Sequence, residues 1–220
     1  MNKKTYLSIT GTTGAGKSTL LSALNSSIPI NSTIIKQTTC RFKRDDDNIN
    51  AFSYIKEEEF KNEKFFICSD RYGITEKNYK LFLSSKIPLG MSINGVAELQ
   101  QLSEKKLELS QECNVINVLI THTSSLEDEL LSLRSSVDRL FSPEQANSRF
   151  ECHRDLCKNY FFNSDFLKQH IDIHLKKNET IENWANQISL ILTDYQFDSL
   201  AFQTDFEKEV NNSKRGFTCK

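Results

Sequence analysis

The chain has 220 residues, with 28 basic against 29 acidic side chains, a net charge of -1, 38% hydrophobic and 26% charged residues. That balance excludes a disordered or collagen-like chain, suits one domain or one domain with an insertion, and gives no average field that would draw in nucleic acid. No apolar run approaches the ~20 residues that cross a bilayer, the apolar stretch after Lys4 is too short for a secretory leader, and six cysteines without a dense framework read as reduced thiols of a cytoplasmic, membrane-free protein.

Residues 5–10 predict a short strand that stops at a glycine. Leu20, Leu21, Ala23 and Leu24 then recur at helical spacing up to Pro29. A second strand is expected over 32–39, a solvated loop over 40–50, a short strand over 52–55, a charged helix over 56–62, a strand over 64–68 and a turn at 70–73. Residues 86–93 and 115–121 read as buried strands, separated by a helix with Val96, Leu99, Leu102 and Leu107 as its apolar stripe. Helices are predicted over 125–140 and from Pro143 onward. Residues 159–162 read as an aromatic strand, with a helix capped by 163–165 to follow. An amphipathic stretch over 180–192 carries Ile181, Trp184, Ile188 and Ile191 on one face, and beyond 193 the pattern weakens. Alternating strands and helices predict an α/β fold with a mostly parallel sheet.

Between the first strand and its helix lies Gly11-Thr12-Thr13-Gly14-Ala15-Gly16-Lys17-Ser18-Thr19, which matches the pattern of a phosphate-binding loop in the context such a loop needs. Its glycines let successive N–H groups turn inward towards a phosphate, and the following helix adds its positive end. Lys17 has the reach for β and γ phosphates and the Ser18 hydroxyl suits Mg²⁺, so ATP and Mg²⁺ are the expected cofactors. Two arginine groups extend the reading. Arg134, Arg139 and Arg149 lie on helices after the strand at 115–121, where charge on a transferring phosphoryl group would need neutralising. Arg41 and Arg44 form a basic pair suited to an acceptor phosphate. The alternative for each is a surface arginine paired with an acid such as Asp45, Asp138 or Glu151.

With these residues in view, the chain resembles the guanylate kinase family over residues 5–192. The loop 11–21 is very like that family's opening, and Thr38-Thr39-Cys40-Arg41-Phe42-Lys43-Arg44 resembles its Thr-Thr-Arg-x-x-Arg segment with one extra residue, so that either Cys40 or Arg41 takes the first arginine's place. Phe52-Ser53-Tyr54 with Glu59-Phe60, Tyr72-Gly73, and Asn163-Ser164-Asp165-Phe166 follow in the family's order. The resemblance implies a three-layer P-loop kinase core (1–32 and 86–192), an acceptor-binding insertion (33–85), a helical lid (123–150) and an extension (193–220). It implies Lys17, Arg134, Arg139 and Arg149 as catalytic groups, with Arg41, Arg44 and Tyr72 on the acceptor phosphate. The positions that read guanine differ: Gln37, Ile67, Ile74 and Ser92 stand where the family has hydroxyl or carboxylate side chains, and Phe52 lacks a hydroxyl. Unpaired base donors cost about 1–3 kcal/mol each, so a nucleoside monophosphate other than GMP, or a sugar phosphate, is as well suited.

Cys152-x4-Cys157-x12-His170-x3-His174 has the spacing of a two-Cys, two-His zinc finger. A finger would put the thiolates on a hairpin and the imidazoles on a helix; against it, 142–156 reads as continuous helix. Two functions therefore stand at this point. One is an ATP-dependent kinase, monomer or homodimer, acting on a small phosphorylated acceptor and not on nucleic acid. The other is a nucleotide-binding module that has lost transfer, with a finger-like nucleic-acid contact at 150–176.

Overall fold

Strand β1 (Lys4–Gly11) runs through the centre of a five-stranded sheet, and every residue from Thr5 to Gly11 is buried. In the computed structural model, residues 3–27, 32–44, 47, 49–123, 125–162, 169–176, 180, 183–184 and 187–188 are described. Helix α1 (Lys17–Ser27) follows β1, then β2 (Ser32–Ile34), β3 (Gln37–Thr39), β4 (Phe52–Tyr54), α2 (Glu57–Asn62), β5 (Phe65–Cys68), β6 (Tyr72–Thr75) and α3 (Glu76–Ser84). The chain continues through β7 (Leu89–Ile93), α4 (Val96–Leu109), β8 (Cys113–Thr121), α5 (Leu126–Leu140), α6 (Pro143–Phe162) and β9 (Ile173–Lys176).

The main sheet has the order β2-β7-β1-β8-β9 and is parallel throughout. Parallel strands are covered on both faces and so read as apolar runs. Leu7 and Ile9 of β1 pack with Leu20, Leu21 and Leu24 of α1 on one face. Tyr6 points the other way and packs with Phe82, Leu102 and Val115, as the two-residue period of a strand requires. The fold is thus α/β around a mostly parallel sheet, as composition and periodicity predict. The chain steps from β1 to β2 and β7 on one side and to β8 and β9 on the other, so β1 marks the switch point where open α/β sheets hold ligands beyond their carboxyl ends.

A second sheet, β4-β3-β6-β5, is built from residues 37–75, inside the expected insertion. β3 pairs parallel with β4 and antiparallel with β6. Several expectations change here. The single strand over 32–39 is two strands in two different sheets, because the backbone leaves β7 after Ile34 to join β4. The turn at 70–73 passes directly into β6, and α3, capped by Thr75 Oγ1 accepting from Asn78 N (3.2 Å), was not foreseen. In α4, Leu99 and Leu102 are buried but Leu107 is 85% exposed, with Leu109 taking its place in the core.

The larger correction concerns 159–162. Those residues continue α6, and the last core strand is β9, in a region expected to be helical. Pro143 opens α6 at a position where a missing N–H costs nothing. Aromatic side chains near its end mimic a strand locally, and the pairing of Ile173 and Leu175 with Val118 and Ile120 decides which segment completes the sheet. Trp184 and Ile188 are buried as expected, while Ile181 and Ile191 lie outside the described residues.

Candidate nucleotide site

At the carboxyl end of β1 the loop 11–16 turns through backbone conformations open to glycine. Gly14 has φ +80, and a Cβ there would come 2.5 Å from Ser136 Oγ of α5. At Gly11, φ is +154 and a Cβ would come 2.3 Å from the Ile120 carbonyl oxygen of β8. Side chains at these two positions would push the loop off its neighbours. Lys17 Nζ donates to Gly11 O (2.9 Å) and Thr12 O (2.8 Å), folding over its own loop. Burial, and then the nearby Arg149 charge, lower its pKa to about 8. Ser18 and Thr19 are exposed at the amino end of α1, where a helix favours anions.

The loop is braced by Glu129, a fully buried residue in the first turn of α5. Its carboxylate accepts from Thr12 Oγ1 (2.9 Å), from the His122 amide (2.5 Å) and from the Thr123 amide (3.0 Å). His122 Nε2 in turn lies 3.0 Å from Thr13 O. One carboxylate therefore ties the phosphate loop, the end of β8 and α5 together. Sequence reading passed over it because an acid in the first turn of a helix ordinarily serves the helix dipole. Its apolar neighbours Leu130 and Leu133, on either side of the helix turn, were the available signal.

Helix α6 brings Arg149 and, one turn later, His153 towards the loop. Burial, then the Lys17 and Arg149 charges, push the His153 pKa down to about 3, so that ring is neutral; its Nδ1 has no hydrogen-bond partner among the described residues. Arg149 Nη2 also donates to the Tyr72 hydroxyl (3.4 Å) on β6, and its guanidinium lies over the Phe141 ring (5.4 Å). Arg44 lies over the same ring at 4.5 Å. Burial, then Arg41 and Arg149, lower the Arg44 pKa. Crowded cations of this kind form a natural seat for an anion.

Of the two candidates for the first motif arginine, Arg41 is the one enclosed. Its guanidinium lies 5.1, 5.5 and 5.9 Å from the rings of Phe52, Tyr54 and Tyr72. It also binds Asp47 in a fork, Nη1 to Oδ2 at 2.7 Å and Nη2 to Oδ1 at 2.5 Å. Burial opposes the Asp47 charge, but Arg41, the Tyr54 hydroxyl (2.6 Å) and the Arg44 amide outweigh it and hold its pKa at about 2. Arg41 is thus engaged by Asp47, while Asp45, the acid expected beside it, lies outside the described residues; with its fork occupied, Arg41 stands beside the crowded Arg44 and Arg149.

Gln37 is buried on β3 and donates through Nε2 to Glu98 Oε1 of α4 (3.0 Å). Ser69 Oγ donates to the same oxygen at 2.9 Å. Glu98 is 1% exposed, and burial raises its pKa. No sequence motif pointed to it.

Other expected site residues stand apart. Ser92 is fully buried, with its hydroxyl donated to Tyr6 Oη (2.7 Å). Arg134 pairs with Asp138 one turn on (2.8 Å), bonds Asn147 and lies over Phe150, the surface-arginine alternative for that position. Arg139 is exposed in the last turn of α5. The finger geometry is not formed: Cys152 and Cys157 both fall on α6, where burial pushes the Cys157 thiol up to about 12, and His174 stands on β9, 2.9 Å from Thr121 Oγ1. Among the described residues no group of three or more Cys, His, Asp or Glu converges as a metal site would require, and no helix is long and apolar enough to cross a membrane.

No protein-family model and no curated protein matches the chain. Among solved structures it is similar to a guanylate kinase from Anaplasma phagocytophilum, at 16% identity and TM-score 0.54, over 90% of this chain and 89% of that chain. At that identity the likeness shows the fold alone, an α/β arrangement shared over nearly the whole of both chains.

Proposed function

We propose that this chain is an ATP-dependent phosphotransferase that moves the γ-phosphoryl group of ATP to a small phosphorylated acceptor, a nucleoside monophosphate. The carrying observation is the position of Arg149, which bears on Lys17 of the phosphate loop and on Tyr72 of the second sheet. One guanidinium between a triphosphate seat and a second anion seat is what transfer between them requires.

In this reading the amides of 11–16 and the amino end of α1 hold the β and γ phosphates, with Lys17 leaving its own carbonyls to reach them. The hydroxyl of Ser18 and the polyphosphate itself make a fitting donor set for magnesium, which when bound would offset the phosphate charge. An oxygen of the acceptor phosphate attacks the γ-phosphorus. The bond from γ-phosphorus to the bridging oxygen breaks, and ADP departs with that electron pair. Arg149 and Arg44 neutralise the charge that spreads over the transferring oxygens. The helices α5 and α6 keep water, the competing acceptor, away from the junction.

A second reading has an observation of its own. β7, beside β1, carries Gly90 and Ser92 and ends at Ile93, so no carboxylate of this strand stands where one would serve the metal, and Asn94 just beyond it donates through Nδ2 to Ser8 and Ser92. Such a chain would bind nucleotide without transfer. Incubation with ATP and Mg²⁺ and a panel of monophosphates, following ADP, separates the two: acceptor-dependent ADP supports transfer, and ATP binding without it supports the module. Lys17→Ala is expected to abolish ATP binding and leave the fold intact, since the hydrogen bonds Lys17 Nζ makes among the described residues go to carbonyls of its own loop. Retained affinity in that variant would refute both.

A further inference from the structure

Residues opposite one another in a sheet point to the same face, as do alternate residues along a strand. Gln37 lies opposite Phe52 and Thr39 opposite both Tyr54 and Tyr72, so all five share one face of the second sheet. Gln37 and Thr39 are separated by about 7 Å along β3. The cationic junction of Tyr72, Arg44 and Arg149 therefore stands at one end of this face and the Gln37–Glu98 pair at the other.

Glu98 is an unusual carboxylate for its position. It is the third residue of α4, after Gly95 at the cap, where an acid ordinarily faces water and serves the helix start. Here it is buried to 1% exposure, and its two oxygens differ. Oε1 takes both neutral donors, Gln37 Nε2 and Ser69 Oγ. Oε2 lies against Gly95, where a Cβ would come within 2.4 Å, and has no hydrogen-bond partner among the described residues. Burial raises the Glu98 pKa, outweighing the Glu98 amide, the Ser69 hydroxyl and the Gly95 amide, which favour the ionised form. An unpartnered buried carboxylate oxygen is costly, and such a group is kept where a ligand completes it.

We infer that Glu98 selects the acceptor by its base: Oε2 accepts a hydrogen bond from a ring N–H or exocyclic amine on the pairing edge of a nucleobase, while the acceptor phosphate sits at Tyr72, Arg44 and Arg149. This rests on the phosphotransferase reading and names its acceptor as a nucleoside monophosphate whose base donates. The carboxylate comes from a helix start rather than from the strand ends where the sequence resemblance would seek it, so Ile67, Ile74 and Ser92 need not read the base.

The test is calorimetric binding of the four ribonucleoside monophosphates, with ribose 5-phosphate as the baseless control and ATP titrated in parallel. Wild type is expected to bind at least one base-bearing monophosphate about tenfold or more tighter than ribose 5-phosphate. Glu98→Gln replaces one carboxylate oxygen by an amide NH2, a donor where an acceptor stood, and should erase that preference, with ATP affinity held within about twofold. Glu98→Asp, which keeps the charge but withdraws it by one methylene, should weaken the preference and serves if the amide variant does not fold. A base preference undiminished in either folded variant, or a wild type that binds no monophosphate better than ribose 5-phosphate, overturns the inference. Failure of the transfer reading shows separately, as a bound monophosphate that never elicits ADP.

Discussion

Arg149 Nη2 donates across 3.4 Å to the Tyr72 hydroxyl, joining a helix that follows the main sheet to a strand of the second sheet. The same guanidinium bears on Lys17 and stands over the ring that Arg44 also covers. Contacts made by one side chain to both candidate seats give it a role that neither seat has alone, and make it the first residue to change.

Arg149→Ala is expected to lower kcat by on the order of 10³. Its effect on the fold should be small, because the residue is half-buried and its hydrogen bond to Tyr72 is long. Arg149→Lys should recover only part of the rate, since an ammonium group cannot offer the planar fork. Coupled ADP assays with far-ultraviolet dichroism as the folding control would check this, and a loss of less than about tenfold would remove Arg149 from the transfer step.

Glu129→Ala should destabilise the protein by about 3 kcal/mol or more, because three donors lose their buried acceptor at once. Urea unfolding with an unchanged slope would measure it. The phosphate loop is held through Thr12, so ATP affinity should fall as well. Glu129→Gln keeps one acceptor oxygen and should fall between the two. A variant of full stability would show that the brace is dispensable.

Two groups give the pH dependence. Lys17 titrates at about 8 in the folded chain, below its ordinary 10.5. Across that interval the unfolded chain binds the extra proton, so stability without nucleotide rises with pH. A bound triphosphate favours the ammonium form, so ATP affinity should decline as pH rises above about 8. His153 is held at about 3 against an ordinary 6.5. Below 6.5 the unfolded chain takes up a proton that the folded chain refuses, and stability falls as pH drops towards 3. Thermal unfolding of His153→Gln should show a shallower fall over that range; a wild-type slope would place the ring in water.

What the amino-acid sequence determined by itself was local and periodic. Gly11 to Thr19 between a strand and a helix specified the glycine-rich loop, since that backbone path depends on glycine at set positions and on the residues directly beside it. The apolar runs at 5–10, 86–93 and 115–121 specified buried parallel strands for the same reason. Tertiary structure decided everything that depends on partners distant in the chain. Whether 159–162 or 173–176 completed the sheet turned on pairing with β8. Arg134 and Arg149 look alike as helix arginines, yet one is engaged by Asp138 on its own helix and the other spans to Tyr72. Glu98 and Glu129 read as ordinary helix-start acids, and only the packing of α4 against β5 and of α5 against the phosphate loop takes them out of water. A charge acquires its meaning from desolvation and from the groups that face it, and neither is written in the residues next to it along the chain.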